Sequence, residues 1–395
     1  LSTALVAFNS GPVSQVFFGT TDFKTHVALY CMLLFTMAIE AYGLTFLRLQ
    51  ERPVLFVAKS IAKLVVQLSL NILLVVHYKM GVMGVIYSSL ISSALFALIS
   101  LCYILLYTGF QMNAGLVHRF FRFSWPLWLA GIAGLYVASS NRYFIRVFSD
   151  LDQVGLFELA NRFAMILPML IWTPFSQWWQ TERFKLYQSS DRGVSVFPVV
   201  FNGIATVKVF VATGICLFSA PVIQIMAAQE FHPAFNAVPL LVYAVLLGNL
   251  KFFFFFSFLV TERTIIITYI KYGSAILATA LYIVLIPWLG YVGAALSILA
   301  TDLAVLVVAY ILSKRYFDNG ISLKYVTMLF LPSIVIVAVD YTLVEPLTGL
   351  AVGVLYKALL SLIHLTLIIM AVMKDKSLRV MALDVVKFFQ RMLKQ

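Results

Sequence analysis

Long apolar runs separated by short polar breaks recur from one end of the chain to the other. The hydrocarbon core of a bilayer takes about 20 residues of helix, and a window of about 19 residues locates the spans. They fall near 1–18, 24–47, 53–77, 81–107, 123–146 and 153–178, then near 196–226, 235–259, 264–287, 290–313, 324–344 and 348–372. The first is short and interrupted by Gly11-Pro12. A membrane β-barrel would show alternating segments of about ten residues instead. The pattern predicts an all-α, polytopic membrane protein of about twelve spans.

Composition excludes the water-soluble alternative, because 62% of the 395 residues are hydrophobic and 11% charged, against about 25% charged in soluble domains. The net charge of +12 is spread over short loops and the tail, which argues against nucleic acid as a partner. Arg48, Arg52, Arg119, Arg122, Arg183, Lys185, Arg192, Arg263, Lys314, Arg315, Lys324 and the tail fall in breaks on one side, while the other holds Lys24 and Lys79, with Arg142 and Arg146 at a helix end. The positive-inside bias assigns the first side and the C-terminus to the cytoplasm of a cell inner membrane. Cys31, Cys102 and Cys216 lie singly in apolar runs and read as packing residues. No HExxH, GxSxG, Walker-type or metal-ligand spacing occurs, so neither a metal, a cofactor nor an enzyme is expected.

Three local matches share one offset. Pro12-Val13-Ser14-Gln15-Val16 resembles Pro221-Val222-Ile223-Gln224-Ile225 (221 − 12 = 209), Glu51-Arg52 resembles Glu262-Arg263 (262 − 51 = 211), and Gly81-x-x-Gly84 resembles Gly290-x-x-Gly293 (290 − 81 = 209). An even number of spans separates equivalent positions, so the halves form parallel repeats, a transporter plan in which substrate binds at the centre. The expected organisation is an N-terminal bundle at 1–107, an inter-lobe cytoplasmic linker at 108–122, a C-terminal bundle at 123–313, an extra helix pair at 314–373 and a cytoplasmic amphipathic tail at 374–395. The tail sets Leu378, Met381, Val385, Phe389 and Met392 on one helical face. The repeat also implies that two helices of the first bundle precede Leu1.

Ionisable groups in hydrocarbon cost at least a few kcal/mol and mark interiors or cavities. Lys59, Lys63, Arg162, Lys208, Lys251, Lys271 and Lys357 fall inside spans, with Arg142 and Arg146 nearer a helix end and Glu40, Glu158, Asp302 and Asp340 as the acids. The basic surplus calls for an anionic, phosphate- or acid-bearing ligand. Candidate substrate-binding residues are Arg142, Arg162, Lys208, Lys271 and Lys63. Asp302 and Glu40 are the candidates for ion coupling, with Asp340 in reserve. Lys59 is close enough to a helix end to reach the interface. Glu158 and Arg162 stand four apart and suit a local ion pair, Glu40 and Lys251 sit at equivalent repeat positions and suit a pair between the lobes, and the run Phe252 to Phe256 reads as lipid-facing packing.

Phe123-Ser124-Trp125-Pro126-Leu127, Asn141-Arg142-Tyr143-Phe144-Ile145 and Val154-Gly155-Leu156-Phe157-Glu158-Leu159-Ala160-Asn161-Arg162 resemble the polysaccharide-biosynthesis flippases of the multidrug/oligosaccharidyl-lipid/polysaccharide exporter superfamily. Arg48-Leu49-Gln50-Glu51-Arg52-Pro53 and the Leu70-Asn71 to Gly84 stretch are similar to that family's first lobe. The resemblance implies two helical bundles around a cationic cavity. It also implies outward movement of a lipid-diphosphate-linked oligosaccharide of O-antigen or capsule type, with membrane lipids, a polysaccharide polymerase and chain-length machinery as partners. Arg142 and Arg162 match places where family members carry polar or charged groups. The alternatives are an exporter of drugs or toxins with the same fold, which would favour an acidic cavity, and a membrane glycosyltransferase or polymerase.

Overall fold

Buried in lipid, each span must satisfy its backbone internally, and the computed structural model is accordingly helical, with no strand among the described residues. It describes residues 9–18, 20–110, 113–188, 195–344, 350–375 and 378–379. The chain forms two compact units, Leu1–Asn113 and Ala114–Gln395.

In the first unit, α1 (Ser10–Phe18) leads into α2 (Lys24–Leu49), α3 (Pro53–Asn71, continued by a π-helical turn Ile72–His77) and α4 (Gly81–Thr108). Gly84, Ser88, Ser92, Ser93, Ala97 and Ser100 form the buried face of α4. Small residues let helices approach closely. A Cβ on Gly43 of α2 would come within 2.4 Å of the Ser100 Cβ, so α2 and α4 pack at a distance that only glycine allows there.

The second unit contains α5 (Ala114–Phe148), α6 (Leu151–Leu167) with a π-helical turn Pro168–Trp172, α7 (Thr173–Gln188) and α8 (Val196–Met226). A 3-10 segment Gln229–Ala237 precedes α9 (Val238–Val260), followed by α10 (Ile265–Tyr316), α11 (Leu323–Val339) with a π turn Asp340–Val344, and α12 (Leu350–Lys374). The core lies on α9, where Phe253, Phe254, Phe256 and Phe258 are at most 1% exposed. This corrects the lipid-facing reading of that run: α9 is enclosed by α6, α8 and α10, and only Phe252 of the five stays exposed.

Nine helices among the described residues are long and apolar enough to cross a membrane, α10 counting once. It is two spans, 265–289 and 291–316, joined at Gly290 with φ 56° and ψ −134°. The backbone N–H of Tyr291, freed by this break, donates to Gln153 Oε1 at 2.9 Å. α5, which carries Arg119, Arg122, Arg142 and Arg146, is not among the nine. Residues 114–122, expected in a linker, are its first turns, and the span expected at 153–178 runs on to Gln188. Of the predicted tail, residues 376–377 and 380–395 lie outside the described residues.

The repeat is present in the backbone of each unit. Glu51 and Glu262 both have φ 55°, Gly81 and Gly290 φ 56°, and Gly109 and Gly320 φ 70°. After α2, the N–H groups of Gln50, Glu51 and Arg52 donate to the carbonyls of Phe46, Arg48 and Leu47 at 3.0, 3.1 and 3.2 Å. After α9, Thr261, Glu262 and Arg263 donate to Ser257, Leu259 and Phe258 at 3.4, 3.2 and 2.9 Å, the same turn 211 residues on (261 − 50 = 211). A non-glycine residue at positive φ is uncommon, and both units use a glutamate there.

Candidate functional site

In the first unit a polar seam runs between α2, α3 and α4. Glu40, 5% exposed, accepts from Lys63 Nζ at 2.6 Å and from Ser93 Oγ at 3.3 Å. Lys59 donates to Ser100 rather than reaching outward, and Gln67 donates to Ser89 at 3.2 Å. Lys63 is thereby held by a carboxylate one helix away.

In the second unit the repeat equivalent of Glu40 is Lys251 (251 − 40 = 211), and that of Ser93 is Asp302 (302 − 93 = 209). Lys251 Nζ lies 2.6 Å from Asp302 Oδ1, so the contact made in one unit by a carboxylate and a hydroxyl is made in the other by an ion pair. Glu40 and Lys251 each find their partner inside their own unit, contrary to the expected pair between lobes. Gly248 makes room for the carboxylate, since a Cβ there would meet Asp302 Oδ2 at 3.3 Å. Glu158 accepts from the Arg142 guanidinium rather than pairing with Arg162, which is exposed.

Lys208 and Lys271 are placed differently. Lys208 is 0% exposed, its Nζ has no hydrogen-bond partner among the described residues, and it stands 4.8 Å from the centre of the Trp172 ring. A cation over an indole face is attracted by the ring quadrupole. Lys271 lines a cavity of about 430 Å³ that Trp172 also borders. Lys251 and Asp302 are within electrostatic reach of Lys271. Because these two neutralise one another, Lys271 is the surplus positive charge of the group.

The cavity's second cation is Arg183, which the sequence reading assigned to a cytoplasmic break. Trp172, Ser176, Trp179, Gln180 and Arg183 recur at helical spacing along one face of α7 and the π turn before it. Pro168 and Pro174 each lack an N–H, and the π turn between them absorbs the interruption. The Arg183 guanidinium lies 5.3 and 5.1 Å from the ring centres of Phe184 and Phe256, and its buried Nε has no partner among the described residues. Opposite, α5 contributes Ala130, Gly131 and Gly134. A Cβ on Gly131 would meet nothing within 4 Å, and one on Gly134 only Lys271 Nζ at 3.9 Å. The missing side chains are what create the volume. Chemically, the cavity offers two cations, an amide, a hydroxyl and two indole rings, a set that fits an anion joined to a ring with hydroxyl groups.

Two further polar contacts join the two members of the last helix pair to each other and tie α11 to the rest of the unit. Asp340 and Lys357, 7% and 5% exposed, pair at 2.6 Å, and Thr213, Ser333 and Tyr243 form a hydrogen-bonded chain at 2.5 and 2.7 Å across α8, α11 and α9. His364 is 1% exposed and stacks on Phe210 at 6.2 Å.

Fold and site together define a multi-pass, all-α membrane protein with enclosed ionic contacts and a cationic, aromatic-walled cavity. Residues 2–179, just under half of the chain, match the family model described as polysaccharide biosynthesis protein. The match agrees with the resemblance read from the sequence and supports a role in polysaccharide biosynthesis or export. No curated protein matches the chain.

Proposed function

We propose that the protein is a flippase that moves undecaprenyl-diphosphate-linked oligosaccharide repeat units, of O-antigen, capsule or a related polysaccharide, across the cell inner membrane by alternating access. The observation that carries this reading is the cavity bounded by Lys271, Arg183, Trp172 and Trp179, in a chain matched by the polysaccharide biosynthesis family. Lys271 and Arg183 attract the diphosphate, the indole rings stack on sugar, and Gln180 and Ser176 take its hydroxyl groups. An exporter of organic cations would need the opposite charge. Lys208 packs against Trp172 and does not line the cavity, while Lys63 and Arg142 are engaged by Glu40 and Glu158 and hold helices together. Asp302 and Glu40 are the proposed ion-coupling carboxylates, acting through the lysines they hold. The reaction is transport rather than group transfer, with the C-terminus in the cytoplasm and a polymerase with its chain-length machinery receiving the product.

The test is the leaflet distribution of labelled lipid-linked oligosaccharide in cells lacking their own flippase. Wild type restores outward transfer, and Lys271→Ala and Arg183→Ala lower it at least about tenfold, the scale of a lost charge-assisted contact. Transfer unchanged in both variants would overturn the assignment.

A further inference from the structure

A second cavity of the same unit, about 840 Å³, shares no lining residue with the first. It opens between the start of α5, the turn joining α9 to α10 and the end of α10, and it collects Arg119, Arg122, Arg263, His118 and Glu262. The distribution of basic residues assigns this end of the helices to the cytoplasmic side.

One carboxylate does not balance three guanidinium groups. Glu262 is taken by Arg119, and neither Arg122 nor Arg263 makes an ion pair among the described residues. Arg263 lies 5.0 Å from the centre of the Tyr316 ring. A guanidinium stacked on a ring keeps its edge N–H groups free to donate in plane. The floor is fixed by Thr264 Oγ1, which donates to the Phe123 carbonyl at 2.9 Å, and Thr268 Oγ1, which donates to that of Pro126 at 2.5 Å. Two planar forks with a surplus of two positive charges, in a space larger than a single phosphate, match a phosphate group with a substituent attached.

Depth comes from a separate observation. On α5 beside the cavity, Phe121, Trp125 and Trp128 are 62%, 47% and 48% exposed, stacked at 5.7 and 5.0 Å between ring centres. Exposed aromatic side chains of this kind collect at the level of lipid headgroups, and basic pockets between helix ends on the cytoplasmic side take anionic headgroups.

We infer that the cavity bounded by Arg119, Arg122 and Arg263 is a phosphate-binding site at the membrane surface, distinct from the transport cavity. Arg122 and Arg263 grip the phosphate, and the Arg119–Glu262 pair holds the turn that presents Arg263. A phospholipid headgroup and a soluble phosphate share this chemistry.

The experiment titrates the purified protein in detergent with dioctanoyl phosphatidylglycerol, inorganic pyrophosphate and, as the uncharged control, dioctanoylglycerol. Saturable binding of phosphatidylglycerol is expected, weakened at least about tenfold by Arg122→Gln and by Arg263→Gln, less by the lysine variants, and not at all by Lys271→Ala. Pyrophosphate that fails to compete assigns the lipid source, and pyrophosphate that binds alone through the same arginines assigns the soluble one. Elution volume and melting temperature show that each variant is folded. Absence of saturable binding for both phosphates, binding indifferent to both glutamine variants, or equal binding of dioctanoylglycerol would overturn the inference, whatever the transport assay reports.

Discussion

Replacing Asp302 by asparagine should cost the second unit far more than replacing Asp302 and Lys251 together. The pair is 2.6 Å long with side-chain exposures of 19% for Asp302 and 10% for Lys251, so water screens it little. Removing one member of an enclosed pair leaves an uncompensated charge and costs about 3–5 kcal/mol, whereas apolar residues at both positions are often neutral or stabilising. Asp302→Asn, Asp302→Leu and Lys251→Met should therefore each lower stability by about 3 kcal/mol, and Lys251→Met with Asp302→Leu by about 1 kcal/mol or less. The assay is equilibrium unfolding of the purified protein in mixed detergent micelles, read as a double-mutant cycle. Single losses that simply add in the double variant, or singles below about 0.5 kcal/mol, would refute the reasoning.

Other contacts give independent expectations. A Cβ on Gly293 would sit 2.3 Å from the Leu285 carbonyl oxygen, against 3.2 Å between Gly84 and the Leu74 carbonyl oxygen in the other repeat. Gly293→Ala should thus lower the melting temperature through a loss of about 1–3 kcal/mol, and Gly84→Ala by less. Lys357→Met should loosen α12, because Asp340 loses its partner, and limited proteolysis should cut ahead of that helix faster than in wild type while the rest of the unit resists. The hydrogen bond from Arg119 and the arginine charges hold Glu262 below the ordinary carboxyl value of 4.5. Its pairing then contributes fully above that value and is lost as pH falls through the lowered one, so the melting difference between wild type and Glu262→Gln should be flat at neutral pH and vanish in acid.

The helices and their repeat were legible because their causes are local. Apolar run length sets each span, and the positive-φ positions Glu51, Gly81, Glu262 and Gly290 punctuate both units at nearly one offset. Boundaries were less legible where helices outlast their apolar stretch: α5 begins at Ala114 through a basic segment, and α7 carries Arg183 on to Gln188. That extension is why Arg183 was assigned to a loop. Its signal was the face Trp172, Ser176, Trp179, Gln180 and Arg183, visible only once the helix is continued past residue 178. Pairing was not legible, because Glu158 is within reach of Arg162 by spacing, yet α5 brings Arg142 to it. The phenylalanine run was misread for a related reason. Hydropathy places a segment in the membrane without saying whether lipid or protein surrounds it.

Flipping by the purified protein in vesicles, read from the leaflet exposure of a labelled diphosphate-linked oligosaccharide, tests the central claim most directly. Gly131→Leu is the most telling variant, because a Cβ there meets nothing within 4 Å, so the leucine fills the cavity without straining the fold. Wild type should flip the lipid, with Gly131→Leu, Lys271→Ala and Arg183→Ala each slower by at least about tenfold while melting like wild type. Flipping at the wild-type rate by all three variants, or none by wild type for any diphosphate-linked sugar, would contradict the account.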